Sequence, residues 1–263
     1  MEKIMKKYTQ EEFNKAFENH KHWLNEDCEG WELMRLELRD ADLSHLNLSR
    51  LDLSGLDLSH TNLSHANLSY SNLNHTYLSY TDLREARLYG TCMNSIFLNH
   101  ANLTLADLSW SNLTDADLSY ADLTKTKLYG VNLCGANLDN AILTDVRYNT
   151  STAFFNLQCP EEGSFIAFKK VMGMYIVKLE IPAEAKRSSA TSRKCRCQFA
   201  KVLSITYKDG SDSGLTEVIN NTFTRTIYKV GREVYPDYWD DNRWHECSHG
   251  IHFFMTREEA VNY

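Results

Sequence analysis

Two stretches in the last third of the sequence carry residue types that could do chemistry. Cys195-Arg196-Cys197, with Cys247 and either His252 or His249 downstream, offers four soft ligands of the kind a tetrahedral zinc ion takes. The spacing is tighter than the Cys-x-x-Cys of a zinc knuckle. Strand alternation is expected to turn only one of the paired thiols toward a shared site, which favours buried structural cysteines. The second stretch is basic. Lys186, Arg187, Arg193, Lys194 and Arg196 are interleaved with Ser188, Ser189, Thr191 and Ser192. Such a cluster suits a phosphate or an acidic partner, and it equally describes a solvated loop, the favoured reading. No Ser-His-Asp arrangement, phosphate-cradling glycine loop or carboxylate pair of defined geometry is legible.

The elements that must position these residues follow from periodicity. A leucine, once replaced by Met93, stands at every fifth position from Leu33 to Leu143. Five matches neither the 3.6-residue helical period nor the two-residue strand period, so the run is an internal repeat. Within each pentad a small or aliphatic residue stands two before the leucine. An Asp or Asn usually precedes the leucine, and a Ser or Thr usually follows it, as in Ala41-Asp42-Leu43-Ser44-His45. Two apolar and three polar positions per five residues require a corner in every pentad. Asp, Asn, Ser and Thr suit corners because their side chains bond nearby backbone groups.

This run resembles the pentapeptide-repeat family. The resemblance implies a right-handed quadrilateral β-helix, a β-solenoid in which four pentads make one coil and the leucines point inward. It divides the chain into an N-terminal capping helix (1–30), the β-helix (31–150) and a C-terminal α+β domain (151–263). Thr9-x-x-Glu12 is a capping-box signature opening an amphipathic helix of Phe13, Phe17 and Leu24 with Trp23 alongside, placed to cover the first coil near Trp31. After residue 150 the pattern predicts strands at 164–168, 174–181, 198–207, 222–230 and 250–254. It also predicts a short helix from Pro182 to Lys186 and a last helix opened by Thr256 and Glu259.

From Gly163 onward the sequence resembles a domain of unknown function appended to pentapeptide repeats in bacteriophage proteins, through Tyr175-Ile176-Val177-Lys178-Leu179, Arg193-Lys194-Cys195-Arg196-Cys197 and Glu246-Cys247-Ser248-His249-Gly250-Ile251-His252. That implies a phage-encoded chain acting on a host protein. Gly250-Ile251-His252-Phe253-Phe254, followed by Ala260 and Tyr263, is similar to a strand-helix segment of ADP-ribosyltransferases. Their nicotinamide-anchoring His-Gly pair has no counterpart, since no histidine lies between His100 and His245. A core strand beneath a terminal helix is the favoured reading.

A twenty-residue coil also maps the outside. Asp40, His60, Tyr80, His100, Tyr120 and Asn140 fall in one column, with Asp57, Tyr77, Phe97 and Asp117 in the column beside it. Tyr77, Tyr80, Phe97, His100 and Tyr120 are therefore expected to converge on one face, either as a contact surface or as a staple between coils. Family relatives that confer quinolone resistance mimic DNA and bind gyrase. Here the outward Asp residues are diluted by Asn, His and Tyr, which disfavours a topoisomerase-directed mimic.

The net charge of −7 disfavours direct DNA binding. Seven cysteines, an odd number without disulfide spacing, and no leader-like or spanning apolar run fit a reduced, cytoplasmic chain outside the membrane. The expectation is a non-enzymatic interaction protein without an obligatory cofactor, able to self-associate through the rod or the C-terminal domain. An ADP-ribosyltransferase-like or nucleotide-binding activity and a DNA mimic stand as alternatives.

Overall fold

A computed structural model describes residues 5–263 except 31–32, 35, 221–224 and 246–247; the side chains of Trp23 and Leu24 are likewise not described. The expected roles of Trp31, Cys247, Trp23 and Leu24 fall outside these described parts. The chain divides into two compact units, Met1–Ala153 and Phe154–Tyr263.

In the first unit every pentad repeats one hydrogen-bond scheme. The Leu43 N–H donates to the Asn62 carbonyl at 2.8 Å, and the Asn62 N–H donates to the Ala41 carbonyl at 2.9 Å. The same pairing recurs as parallel bridges from Asp42↔Asn62 to Lys127↔Arg147, always twenty residues apart. Twenty residues and one corner per five give a four-sided coil. Most corners are closed by a hydrogen bond such as Leu46 N–H to Leu43 carbonyl, 3.3 Å, around a left-handed third residue, His45 at φ 62°. The preceding acid or amide braces it: Asp42 Oδ1 accepts the Ser44 N–H at 3.0 Å. The left-handed residue is thus the one two past the leucine, where His, Tyr, Trp and Asp stand far more often than Gly.

Inside, the central leucine of each pentad from Leu43 to Leu138 is buried to 0–1% exposure, with Ala and Thr most often between them. Each buried leucine contributes roughly 1.5–3 kcal/mol. Threonine keeps its hydroxyl satisfied by donating to the coil before it, as from Thr76 to the Leu53 carbonyl at 3.0 Å.

The N-terminal segment covers one end of this stack. β1 (Lys6–Lys7) runs parallel to β2 (Ala41–Asp42), and α1 (Gln10–Asn25) starts at Thr9 with the capping box formed. Phe13 and Phe17 are buried and stacked, centroids 5.8 Å apart. The Gln10 amide brackets Asn47, accepting its N–H at 2.7 Å and donating to its carbonyl at 3.1 Å. These are backbone groups for which the stack supplies no preceding coil.

The second unit contains β3 (Phe165–Val171), β4 (Tyr175–Ile181), β5 (Arg187–Ser189), β6 (Cys195–Cys197), β7 (Ala200–Tyr207), β8 (Glu217–Asn220), β9 (Thr226–Lys229), β10 (Glu233–Val234), β11 (Ile251–Phe253) and α2 (Arg257–Asn262). An antiparallel sheet of order β10-β7-β4-β3 meets a second of order β11-β6-β5, and β8-β9 form a hairpin. Val177, Leu179, Ile181, Val202, Cys195, Cys197, Ile251 and Phe253 fill the core. Two expectations are corrected. Pro182–Lys186 is a turn rather than a helix, because it must reverse the chain into β5. Of the basic stretch, Arg187 and Arg196 belong to the strands β5 and β6 rather than to a solvated loop, whereas Lys186, Arg193 and Lys194 lie in the connections around them. The expected 222–230 strand is present as β9 from Thr226 only, residues 222–224 lying outside the described ones.

Candidate functional site

The coil geometry brings the widely separated rings together as a ladder. His60 stacks on Tyr80 with centroids 5.1 Å apart, Tyr80 on His100 at 4.6 Å, and His100 on Tyr120 at 4.9 Å, with interplanar angles of 1–9°. Beside it Tyr77 stacks on Phe97 at 4.9 Å and 3°. All five predicted residues lie on this side of the rod, joined by His60. Tyr77, Tyr80 and Tyr120 remain about half exposed, at 48%, 54% and 53%. The ring faces are spent on each other, so the exposed part of each stacked ring is its edge.

The two columns have different local costs. Tyr80, His100 and Tyr120 occupy left-handed corners, φ 57–60°, where a non-glycine residue costs roughly 1–2 kcal/mol that ring stacking can offset. Tyr77 and Phe97 stand where most other pentads carry the bracing Asp or Asn, and like Arg87, Cys92 and Lys127 they leave their corners without that brace. A position that abandons the locally favoured residue for an exposed ring is a mark of function.

A second set of rings on the opposite side was not anticipated as a cluster. Tyr70 lies against Gly90, and Trp110 lies flat on Gly130, where an added Cβ would meet the indole at 2.8 Å. The signal was present in the sequence, a glycine twenty residues after each ring, but it has meaning only once twenty residues are known to be one layer. The outward aspartates are largely engaged: Asp57 bonds Arg39 at 3.3 Å, Asp82 bonds Arg84 and Asp107 bonds Lys127 at 3.1 Å.

In the second unit the basic residues are dispersed into structural contacts. The Arg187 guanidinium donates to the carbonyls of Pro160, Pro182, Ala183 and Gly163 and its Nε to that of Ala185. Arg196 is 2% exposed. It donates to the carbonyls of Asp240, His249 and Asn242 and lies 5.0 Å from the Trp239 ring. Arg193 pairs with Glu259 at 2.7 Å, Lys186 with Asp241 at 3.0 Å, and Lys194 lies over Tyr263. Near Arg196, burial would raise the Asp240 carboxyl, but hydrogen bonds from Ser248 and His245 hold it far below the usual range. The basic cluster is thus not gathered into one anion cradle.

The zinc ligands do not converge either. Cys195 and Cys197 share one buried face, as residues two apart on a strand must, which corrects the expectation of opposite directions. His252 pairs with Arg196 in register and so stands on the other face of the sheet; Cys247 is outside the described residues. The Cys195 thiol donates to the Arg193 carbonyl at 3.8 Å. Among the described residues one ligand-like cluster exists elsewhere, the exposed His22 and Asp27 with the half-buried Cys28 just past α1, with a 2.7 Å His22–Asp27 contact. The Gly250–Phe254 segment is a strand followed by α2, whose Ala260 is buried against Ile176 and Phe254.

Comparison with known proteins agrees with this division. Residues 37–147 match pentapeptide repeats in eight copies, and residues 155–260 match a family of unknown function, DUF5758. The two matches follow one another along the chain, pentapeptide repeats first and DUF5758 second. Similar solved structures include the pentapeptide-repeat protein Rfr23 from the cyanobacterium Cyanothece 51142 (28% identity, 42% of this chain and 85% of that one, TM-score 0.22). HetL from Nostoc sp. strain PCC 7120, involved in heterocyst differentiation regulation, is 32% identical over 42% of this chain and 59% of its own, with TM-score 0.19. QnrB1, a plasmid-mediated fluoroquinolone resistance protein, is 14% identical over 42% of this chain and 68% of its own, with TM-score 0.20. No curated protein matches the chain at a significant level. No helix among the described residues is long and apolar enough to cross a membrane.

Proposed function

We propose that this chain is a non-catalytic interaction protein whose repeat rod presents the Tyr77, Tyr80, Phe97, His100 and Tyr120 face to a partner protein. The observation that carries the reading is the pair Tyr77 and Phe97, exposed rings set where the fold prefers a bracing Asp or Asn. Interfaces favour aromatic residues because a ring buries much area while losing few rotamers, and phenol hydroxyls and imidazoles add directional bonds. The appended domain, through its resemblance to phage-borne domains, makes a host protein the partner proposed here.

The test is a photo-crosslinking amino acid placed at Tyr77 or, on a neighbouring side, at Asp115 in the full chain expressed in its native host. One stoichiometric adduct is expected from position 77 and none from 115. Tyr80→Ala with Phe97→Ala should remove that adduct while the rod still melts cooperatively. Equal adducts at both positions, or a lowered Tm with the adduct retained, would reject an interface and leave the rings as staples.

A further inference from the structure

Lys169 occupies a position that the strand pattern reserves for the core. On β3 it shares a face with Ala167 and Val171, which are 0% and 1% exposed. Its ammonium runs to the seam between the two sheets, where Phe168 and Phe254 exchange backbone hydrogen bonds of 2.9 and 2.8 Å. There Nζ donates to the His252 carbonyl at 3.2 Å and lies 5.9 Å from the centre of the buried Tyr228 ring. An ammonium has three protons to donate, and among the described residues this one has a single neutral acceptor. No carboxylate pairs with it among the described residues, and burial pushes its pKa down to about 8.

The seam opens into a cavity of about 170 Å³. Thr226 and Tyr228 of the β8-β9 hairpin, Pro236, Asp237 and His252 form much of its wall. Asp237 is turned to His249 Nδ1 at 2.8 Å and does not pair with Lys169. The arrangement is therefore one partly buried cation, a ring beside it and a void. A cavity of roughly 150 Å³ accepts benzene, so the space fits a single ring and excludes a dinucleotide. A buried charge calls for a counter-charge, and a carboxylate supplies one together with two acceptor oxygens.

We propose that this cavity binds a small ring-sized carboxylate, its oxygens on the Lys169 ammonium and its carbon skeleton against Tyr228 and Pro236. The site stands on the second unit alone and does not depend on the aromatic face of the rod.

The full chain carrying ¹³C-methylated lysines tests this by NMR, with benzoate, acetate and inorganic phosphate as probes. Benzoate is expected to shift the Lys169 signal saturably at millimolar concentration and to raise its titration midpoint by at least one pH unit. Acetate and phosphate should bind at least tenfold more weakly. Lys169→Met should abolish the benzoate response in the rest of the spectrum. Thr226→Val, which leaves the lysine in place, should weaken benzoate several-fold. Absence of a saturable shift with all three probes would overturn the site. Equal binding of phosphate or acetate would overturn its assignment to a ring-sized carboxylate.

Discussion

At single positions, what matters is the contact that a twenty-residue offset creates. Gly130 and Gly55 both sit at left-handed corners, φ 66° and 69°, but only Gly130 has a ring, Trp110, resting on it. Gly55→Ala should cost only the conformational penalty, about 1 kcal/mol, whereas Gly130→Ala should cost at least about 1 kcal/mol more by displacing the indole. Urea denaturation of the two variants gives the comparison, and equal losses would show that the indole is not seated. Lys169 gives a second prediction, with the opposite sign from a paired lysine. Its folded pKa of about 8 lies below the ordinary 10.5, so the unfolded chain holds more protons between those values. Stability should rise with pH across that window, and below about pH 8 the full penalty persists. The rise should be absent in Lys169→Met, which should also melt higher than the parent at pH 7 in thermal scans. None of this was legible in Phe165-Ile166-Ala167-Phe168-Lys169-Lys170-Val171, because a lysine at the edge of an apolar run reads as the end of a strand. Only the partner sheet reveals which of the two lysines faces inward.

Whole elements contribute the ends and the seams. α1 was legible from Thr9 and Glu12, because a capping box is local chemistry, and the structure shows both of its hydrogen bonds. What Gln10 does was not legible, since its partner Asn47 is thirty-seven residues away. Gln10→Ala leaves both backbone groups of Asn47 without that bracket and should lower rod stability by about 1–2 kcal/mol, read by chemical denaturation. A wild-type midpoint would show that water serves as well. The strands β5 and β6 were missed for a related reason. Arg187, Lys186 and Arg193 look solvated in sequence, but two of the basic side chains, Arg187 and Arg196, are tied to backbone carbonyls of neighbouring loops. Short strands of three residues carry too little alternation to announce themselves.

For the molecule as a whole, the two units have separate cores and repeat chemistry confined to one of them. Calorimetry should resolve two unfolding transitions. Phe17→Asp, which buries a charge under the first coil, should lower one by more than 10 °C or abolish it and leave the other within 2 °C, a split that a single cooperative transition would refute. The five-residue period, with the four pentads per coil that the family resemblance implies, determined the coil, its leucine core and the column of His60, Tyr80, His100 and Tyr120, because in a solenoid sequence offset is spatial offset. In the second unit offset and distance part company. Lys169 meets His252, Arg196 meets Asp240, and the paired cysteines turn away from His252. Those meetings rest on long-range strand pairing and side-chain burial, which the tertiary structure alone decides.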